Sequence, residues 1–511
     1  MKIRPVVLLA LVALIPGVLT GCGGSSFNGT LNTGGGSGPT PPAGTPTVTA
    51  LSPGSVVAGS PGFTLTVTGT NFKSGDTVEW GFTPLTSTYV SSTEMTAQVP
   101  ASDIATPGGV TVIVVTPTPS SMNFGALFTI SVPPLTGNTS FTVSSVTIEA
   151  NDMVWDPVSQ LIYLSVPSSN ATNGDTITTL NPVTGQLGTS QAAGGEPDRL
   201  AVTSDGSYLY AGIDANGTVQ RFTLPGLGAD ISIPLGSYNA SQPYFAMDVE
   251  SAPGSPHTVA VVRGVSGISP TEEGGVVIYD DAVPRATSVP GAMSGVGPID
   301  AITWNSSATE LFGIDTELSP SGDLYTLAVD TGGVKLAQDY KFQSINGFNG
   351  VHYDATTGYV YSDTGMVIDP ASGAVVGSYP TGNIQGGYSL GPVMVPDGSL
   401  NIAYFLGQTQ YGNGLGQWAL EAYDLTHFTF LGAVALTNVV GTPVKLVRWG
   451  SNGLAFVTGI GGGHGPVQGD GVYILSGAFV TSPALQGSGT VPQVVSFKPL
   501  NGGHASGQRS Q

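Results

Sequence analysis

The sequence predicts an all-β protein in which a small β-sandwich is followed by a β-propeller of about seven blades. Three observations lead to this fold class. Charged residues make up only 9% of the 511 residues, and Gly, Ser, Thr and Pro supply most of the polarity, which is typical of turn-rich β structure. From about residue 46, short apolar runs alternate with turn residues. From about residue 134, these runs recur with a period of about 50 residues, the length of a propeller blade.

The first 21 residues have the features of a secretory signal peptide. Lys2 and Arg4 give a positively charged start, residues 6–15 form an apolar stretch, and small residues precede Cys22. The apolar stretch is too short to cross a bilayer, which disfavours a transmembrane helix. An exported protein is therefore predicted.

Cys22 is the only cysteine of the chain, and it ends the tetrapeptide Leu19-Thr20-Gly21-Cys22. This tetrapeptide resembles the lipobox of bacterial lipoproteins. The resemblance implies that residues 1–21 are removed and that the Cys22 thiol is lipidated, so that a lipid anchor makes the membrane a partner. Gly23 in place of Asp resembles an outer-membrane address in the cell envelope, facing the periplasm or the cell surface. The alternative is an ordinary signal peptide followed by an incidental cysteine.

Two terminal segments are predicted to have no packed core. Residues 22–45 consist largely of Gly, Ser, Thr, Pro and Asn, a composition that indicates a flexible tether. Residues 501–511 are predicted to be a disordered tail. The folded part of the chain is expected between these two segments.

Residues 46–133 are predicted to form the sandwich. Phe63, Leu65 and Val67 alternate with threonines, so one face of a sheet is expected to be buried. The number and spacing of the β-type runs indicate a small antiparallel sandwich with Trp80 in its core. The runs cover residues 56–57, 63–67, 77–80, 96–99, 110–115 and 127–132.

Three stretches of this segment resemble one family. Residues 46–53 and 65–72 resemble the opening of an immunoglobulin-like IPT/TIG domain, and residues 89–100 resemble its later part. The physical role of Gly69-Thr70-Asn71-Phe72 is a turn that returns Phe72 to the core. The resemblance covers the whole segment and implies a spacer or binding module without catalysis.

Residues 134–500 are predicted to form the propeller. In the second repeat, strands are expected at 199–203, 208–212, 218–224 and 229–234. One such four-stranded sheet cannot bury both of its faces, whereas a ring of sheets can. Seven copies of the second strand are visible, and they begin at Leu161, Tyr208, Thr258, Glu310, Tyr359, Ile402 and Leu454.

The turns between the strands carry a second resemblance. Asn181-Pro182-Val183-Thr184-Gly185 and Asp369-Pro370-Ala371-Ser372-Gly373 resemble the turn signature of the YVTN-type propeller family, and residues 204–210 are similar to the same group. Residues 251–254 and 305–308, the turns of the third and fourth copies, depart from it. The blade count is therefore left between six and eight.

The ring needs a strand from outside the repeat to complete one blade. Either residues 141–148 or residues 493–497 can pair there. We favour residues 141–148 because they directly precede the first blade.

Catalytic motifs are weak in this chain. Gly387-Tyr388-Ser389-Leu390-Gly391 matches the nucleophile-elbow pattern, but 75 glycines make an accidental match expected, and no strand-turn-helix context surrounds it. The histidines are far apart and form no metal-type pair. They are His257, His352, His427, His464 and His504. We predict no catalytic, cofactor-binding or metal-binding residue, and a lactonase-like hydrolase is kept as the alternative.

Charge limits the partners and cofactors. A net charge of −20 repels phosphate backbones, so nucleic acid is not expected as a partner. Turn residues Asp156, Asp205, Asp214 and Asp354 suggest structural calcium, although backbone hydrogen bonds within the turns explain most turn aspartates. No cofactor is therefore predicted.

A propeller surrounds a central channel, where ligands and partner peptides usually lie. Five residues on the innermost strands are candidates for a polar funnel there, with solvated strand ends as the alternative. They are Asp152, Arg199, Asp300, His352 and Lys445. The predicted function is extracytoplasmic binding or scaffolding of a protein or glycan partner, and a purely structural surface or adhesion protein is the other alternative.

Overall fold

The structure is a computed structural model. Cys22, the predicted signal peptide and tail, and residues 22–44 of the predicted tether lie outside the described residues, as do Ser389, His464 and His504. Within the described ranges, no helix combines the length and apolar character needed to span a membrane. The described residues are 45–497 except 82, 105–107, 117–124, 132–140, 269–270, 272–273, 292–297, 316–321, 343–349, 380–383, 386–391, 410–416, 460–470 and 482–492.

The N-terminal unit is a sandwich of two sheets. One sheet has the strand order β1-β3-β7-β6 and the other β2-β9-β8-β4-β5. A 3-10 turn, Ala101–Ile104, follows β7. The strands are β1 Thr47–Ser52, β2 Ser55–Val57, β3 Phe63–Thr70, β4 Thr77–Trp80, β5 Thr83–Pro84, β6 Thr86–Ser91, β7 Glu94–Val99, β8 Gly108–Val115 and β9 Ala126–Ser131.

One pairing in the sandwich differs from the predicted antiparallel arrangement. Strand β2 pairs with β9 in parallel. Only Pro53 and Gly54 separate β1 from β2, so the chain passes from one sheet to the other without a hairpin that would reverse it. The remaining pairings of the sandwich are antiparallel.

The sandwich core lies between the two sheets. Leu65 and Val67 are fully buried, as the alternation along β3 predicts. Trp80 is buried, with its ring centroid 4.9 Å from that of Phe128. Phe72 is also buried, so the turn before it returns the chain to the core as expected.

The rest of the described chain forms seven mainly antiparallel sheets, which are the propeller blades. The first three blades use consecutive strands. Blade 1 consists of β11 Asp152–Asp156, β12 Leu161–Val166, β13 Thr176–Asn181 and β14 Gln186–Ala192; blade 2 of β15 Pro197–Val202, β16 Tyr208–Ile213, β17 Thr218–Thr223 and β18 Gly228–Pro234; and blade 3 of β19 Ser237–Asn239, β20 Gln242–Ser251, β21 Thr258–Val265, β22 Gly275–Asp280 and β23 Val283–Pro284.

Blades 4 and 5 are built in the same way, and blades 6 and 7 take up strands from elsewhere in the chain. Blade 4 consists of β24 Ala301–Trp304, β25 Glu310–Ile314, β26 Gly322–Asp330 and β27 Gly333–Phe342; blade 5 of β28 Val351–Asp354, β29 Tyr359–Ser362, β30 Met366–Asp369 and β31 Ala374–Ser378; blade 6 of β32 Ile384–Gln385, β33 Val393–Asp397, β34 Ile402–Thr409, β35 Gln417–Asp424, β36 Phe430–Thr437 and β40 Gln493–Ser496; and blade 7 of β37 Thr442–Trp449, β38 Gly453–Gly459, β39 Val472–Gly477 and β10 Phe141–Val146.

The innermost strands close the ring. Strand β11 packs against β15, and the contacts continue through β20, β24, β28, β33 and β37 back to β11. Strand β10 pairs with β39 as the outer strand of blade 7, which confirms the favoured segment 141–148. Strand β40 instead pairs in parallel with β36 at the edge of blade 6. One blade thus contains strands from both ends of the propeller segment.

The second strand of each blade lies between two neighbouring blades. Both of its faces are therefore buried, and it is a nearly continuous apolar run. Every residue of β38 is buried, whereas most of the outer strand β14 is exposed. Six of the seven predicted starting residues of these strands are exact, and the seventh strand begins at Gly453 instead of Leu454.

Candidate functional site

Each innermost strand has one equivalent position from which a side chain can reach the next blade. We call it the ring position. In every blade, the residue directly after the ring position pairs with the same position of the second strand. Examples of these next residues are Met153, Leu200 and Ile302. In blade order, the ring positions hold Asp152, Arg199, Asp248, Ala301, Gly350, Val393 and Lys445.

Asp152 joins blade 1 to both of its neighbours. Its side chain is 1% exposed, and Oδ2 accepts a hydrogen bond of 2.9 Å from the backbone N–H of Leu200 in blade 2. Oδ1 accepts 2.8 Å from the N–H of Met153 and lies 2.6 Å from Nζ of Lys445 in blade 7. The Lys445 side chain is 37% exposed.

Arg199 reaches from blade 2 to blade 3. Its Nε donates a hydrogen bond of 2.9 Å to the carbonyl oxygen of Met247, and its side chain is 35% exposed. The nearest carboxylate oxygen, Oδ2 of Asp198, lies 3.9 Å from Nε, which is too long for a hydrogen bond. Asp198 and more distant carboxylates, including Asp152 and Asp248, raise the pKa of the guanidinium.

Asp248 repeats the role of Asp152 in blade 3. Oδ2 accepts a hydrogen bond of 2.8 Å from the backbone N–H of Ile302 in blade 4, and Oδ1 accepts 2.9 Å from Val249 N–H. Burial nevertheless raises the pKa of its carboxyl group, and the cationic groups of Arg199 and Lys445 oppose that shift.

Glu250 lies two residues beyond Asp248 on the same face of β20. Its side chain is half-buried, and its carboxyl group makes no hydrogen bond or ion pair within the described part of the chain. Desolvation raises its pKa to about 8, Asp248 and Asp152 add to the shift, and Lys445 opposes it. At neutral pH this carboxyl group is mostly protonated and can donate a hydrogen bond.

Blade 5 has glycine at the ring position, and a residue from another strand replaces the missing side chain. Asp363 follows β29, and its Oδ1 accepts 2.9 Å from the N–H of Met394 in blade 6 and lies 2.9 Å from Nε2 of His352. A Cβ atom on Gly350 would lie only 2.6 Å from Oδ2 of Asp363. The glycine therefore provides the space for this carboxylate.

The structure brings together three of the five predicted channel residues. Asp152, Arg199 and Lys445 share the ring position, and His352 lies two residues beyond it, hydrogen-bonded to Asp363. Asp300 lies one residue before the ring position of blade 4 and is buried on the opposite face of the strand.

Sequence reasoning missed Asp248, Glu250 and Asp363. Asp248 lies ten residues before the second strand of its blade, whereas Arg199 lies nine residues before its own, so aligning the repeats at their second strands places Val249 opposite Arg199 and hides Asp248. Asp363 has no signal in such an alignment, because it comes from the end of a second strand.

The turn aspartates mostly serve their own turns. Asp156 accepts hydrogen bonds from Val158 and Ser159 N–H, and Asp354 accepts from Thr356 and Thr357 N–H. Asp214 differs, because burial and then Asp198 raise the pKa of its carboxyl group to about 8. Among the described residues, no group of three His, Asp or Glu side chains is arranged to hold a metal ion.

The sandwich has a second concave surface. A cavity of about 530 Å³ is lined by residues including Phe63, Leu85, Gln98 and Asp103. Its lining combines apolar side chains with an amide and a carboxylate. The sandwich therefore presents a concave surface that contains polar groups.

Comparisons with known proteins bear on both units. Residues 46–130 match the family model of the IPT/TIG domain, so this segment is an IPT/TIG domain. A search of curated proteins found no match. The similar solved structures include the β-propeller domain of Myceliophteria thermophila Cps50 (Swd1), with 12% identity over 66% of this chain and 99% of that one and a TM-score of 0.46. The WD40 repeats of RRP9 have 11% identity over 66% and 97% of the two chains and a TM-score of 0.48. Kuenenia stuttgartiensis hydrazine synthase has 14% identity over 54% of this chain and 76% of that chain, with a TM-score of 0.42.

Proposed function

We propose that the protein is a lipid-anchored cell-envelope protein that binds a partner through its propeller channel and its IPT/TIG domain, without catalysis. The partner is a protein or glycan outside the cytoplasm. The lipid attaches at Cys22, and residues 22–45 separate the folded units from the membrane.

The charged ring positions of blades 7, 1, 2 and 3 are the main support for a binding channel. Asp152 and Asp248 are used in holding the blades together, because each accepts a backbone N–H of the next blade. Arg199 and Lys445 keep more than a third of their side-chain surface exposed and therefore retain donors for a ligand. A channel with a purely structural role would not require such exposed donors.

A binding experiment with matched variants tests the channel. The purified full chain is immobilised, and saturable binding of a detergent-solubilised envelope fraction is measured for wild type, Arg199→Gln and Lys445→Gln. We expect each channel variant to weaken binding about tenfold, which corresponds to about 1.4 kcal/mol. Lys335→Gln is the control, because Lys335 lies on the outer strand β27 with 57% of its side chain exposed.

The outcomes separate the binding function from its alternatives. Equal loss in Lys335→Gln would indicate non-specific charge effects. Saturable binding that is unchanged in both channel variants would move the site away from the channel, and the cavity at Leu85 would be tested next. The absence of any saturable partner would favour a purely structural surface or adhesion protein.

The anchor is tested separately. Cells expressing wild type or Cys22→Ala are grown with a labelled fatty acid and then fractionated. Wild type is expected to carry the label and to sediment with membranes, and Cys22→Ala is expected to lose both properties. Labelling and membrane retention that survive the substitution would refute the anchor.

Glu250 favours one second candidate function, a lactonase-like hydrolase. A carboxyl group that has no hydrogen-bond partner among the described residues, and whose pKa is raised to about 8, has the properties of a general acid or base. Hydrolysis of a lactone panel that disappears in Glu250→Gln but persists in the control Lys335→Gln would favour this function. Activity equal in both variants would exclude Glu250 as the acid or base.

A further inference from the structure

Arg199 is exceptional among the arginines of the propeller. In Arg221, Arg263, Arg285 and Arg448, the Nε atom and both Nη atoms contact protein oxygen atoms. In Arg199 only Nε is hydrogen-bonded, and neither Nη atom has a hydrogen-bond partner within the part of the chain that the structure describes.

The Nε contact orients the guanidinium. Because Nε is held by the carbonyl oxygen of Met247 in blade 3, the edge that carries the two Nη atoms remains available. Two parallel N–H donors on one planar edge match the two oxygens of a carboxylate. The 35% exposure of the side chain gives a ligand in the channel access to this edge.

The neighbouring carboxylates do not occupy this edge. Asp152 and Asp248 direct oxygens to the backbone N–H groups of Leu200 and Ile302. Asp198 comes closest at 3.9 Å, and that distance is to Nε. These groups raise the pKa of the guanidinium and so keep it charged, and none of the described residues accepts a hydrogen bond from its Nη atoms.

We propose that the Arg199 guanidinium is a receptor for a carboxylate group in the propeller channel, supplied by a small carboxylic acid or by the chain end or acidic side chain of a partner protein. The proposal deepens the proposed binding function and rests on it. Lys445 adds a second positive charge, with one contact from Nζ to Asp152 Oδ1. Among the described residues no other contact of this ammonium is found, and it can donate three hydrogen bonds in all.

The remaining channel charges favour a singly charged group. Glu250 faces Asp248, Asp152 and Lys445, and its raised pKa keeps it largely neutral at pH 7, so it does not repel an anion there. A phosphate dianion would bring a second negative charge close to the acidic side chains of Asp152 and Asp198. A carboxylate matches both the geometry of the free edge and this balance of charge.

The test observes Arg199 directly in the wild-type full chain. Arginine side chains are labelled with nitrogen-15, and the Nε–Hε resonance of Arg199 is assigned by its loss in Arg199→Lys, or in Arg199→Gln if the first variant does not fold. Three probes are titrated at pH 7 and constant ionic strength, with sodium chloride as balance. They are acetate, N-acetylglycylglycine and N-acetylglycylglycinamide, which lacks the carboxylate.

We expect the Arg199 resonance to shift saturably with a carboxylate probe and to remain in place with the amide. The Arg263 resonance is the internal control, because all three nitrogens of that side chain are bonded to backbone carbonyls. Saturation with both carboxylates would mean that a free acid is sufficient. Saturation with the peptide alone would mean that a chain end is recognised.

Two results would overturn the proposal. One is the absence of a saturable shift with either carboxylate, and the other is an equal shift with the amide. If either occurs while Arg199→Gln still weakens binding to the envelope fraction, only the ligand chemistry is wrong. If carboxylates bind but no envelope partner is found, the carboxylate site remains and the proposed partner function fails.

Discussion

Replacing Asp152 with alanine should destabilise the propeller by about 3 kcal/mol. The substitution leaves the buried N–H of Leu200 without its acceptor, and an unsatisfied buried donor costs about 1–3 kcal/mol. It also removes the acceptor of Met153 N–H and the counter-charge of Lys445. The Lys445 ammonium can return to water because its side chain is 37% exposed, so its share should be no more than about 1 kcal/mol.

The assay is equilibrium unfolding in urea, followed by tryptophan fluorescence. Four of the five tryptophans lie in the propeller, so the signal reports mainly on that unit. A double-mutant cycle with Lys445→Met isolates the ion pair, for which we expect a coupling of less than about 1 kcal/mol. The control is Asp330→Ala in a turn of blade 4, where the aspartate side chain is 61% exposed.

Asp152→Asn refines the same experiment. It keeps one side-chain oxygen as an acceptor and should therefore cost about half as much as alanine. The reasoning would be refuted if Asp152→Ala cost no more than Asp330→Ala with an unchanged urea dependence. In that case the bridges at the ring position would not hold the blades together.

Three further predictions concern other parts of the structure. Val146→Asp places a charge at a buried position of the closing strand β10 and should lower the melting temperature by more than 5 °C, whereas Thr142→Asp at an exposed position of the same strand should change it little. Equal melting temperatures would refute the role of β10 in closing the ring. Folding raises the pKa of Glu250 to about 8, so the folded state holds a proton that the unfolded state releases near its ordinary pKa of 4.5. The stability of the wild type should therefore fall as pH rises from about 5 to 8. Melting curves of Glu250→Gln should show a weaker decline over the same pH range. An identical decline in the variant would contradict that assignment. Gly69→Ala should destabilise the sandwich, because its Cβ would overlap Thr47 O and the Phe72 ring, whereas Gly54→Ala, with its nearest atom at 3.6 Å, should be tolerated. Differential scanning calorimetry of the full chain measures the difference, and equal midpoints for the sandwich transition would show that the backbone at Gly69 can adjust.

Most of the fold could be predicted because each blade repeats one local pattern. The second strands are recognisable since neighbouring blades bury both faces, which requires continuous apolar runs such as Leu161–Val166. The strand that completes blade 7, β10, could be predicted because it directly precedes blade 1 in the sequence. The parallel pairing of β2 with β9 could not be predicted, because it depends on how the chain passes from one sheet to the other at Pro53 and Gly54. The apolar periodicity of the sequence carries no information about that connection.

The candidate site could be predicted only in part, because the same place in the ring can be filled by residues from different positions of the sequence repeat. Asp152, Asp248 and Asp363 perform one task, which is to accept a backbone N–H from the next blade. The first two lie at the ring position, whereas the third fills the space left by Gly350 from the end of another strand. A comparison of repeats therefore shows an acidic residue lost at blade 5, although the carboxylate is retained in space.

The carboxylates that bridge the blades differ in role from the two Nη atoms of Arg199. Carboxylates at this layer are used by the blades, because each removes an otherwise unsatisfied N–H from the ring wall. Arg199 at the same position contributes one bond to blade 3 and retains two nitrogens that the ring does not need. Since burial and bridging explain the acidic residues but not these nitrogens, the excess donors of Arg199 are the feature of the channel that most requires a ligand.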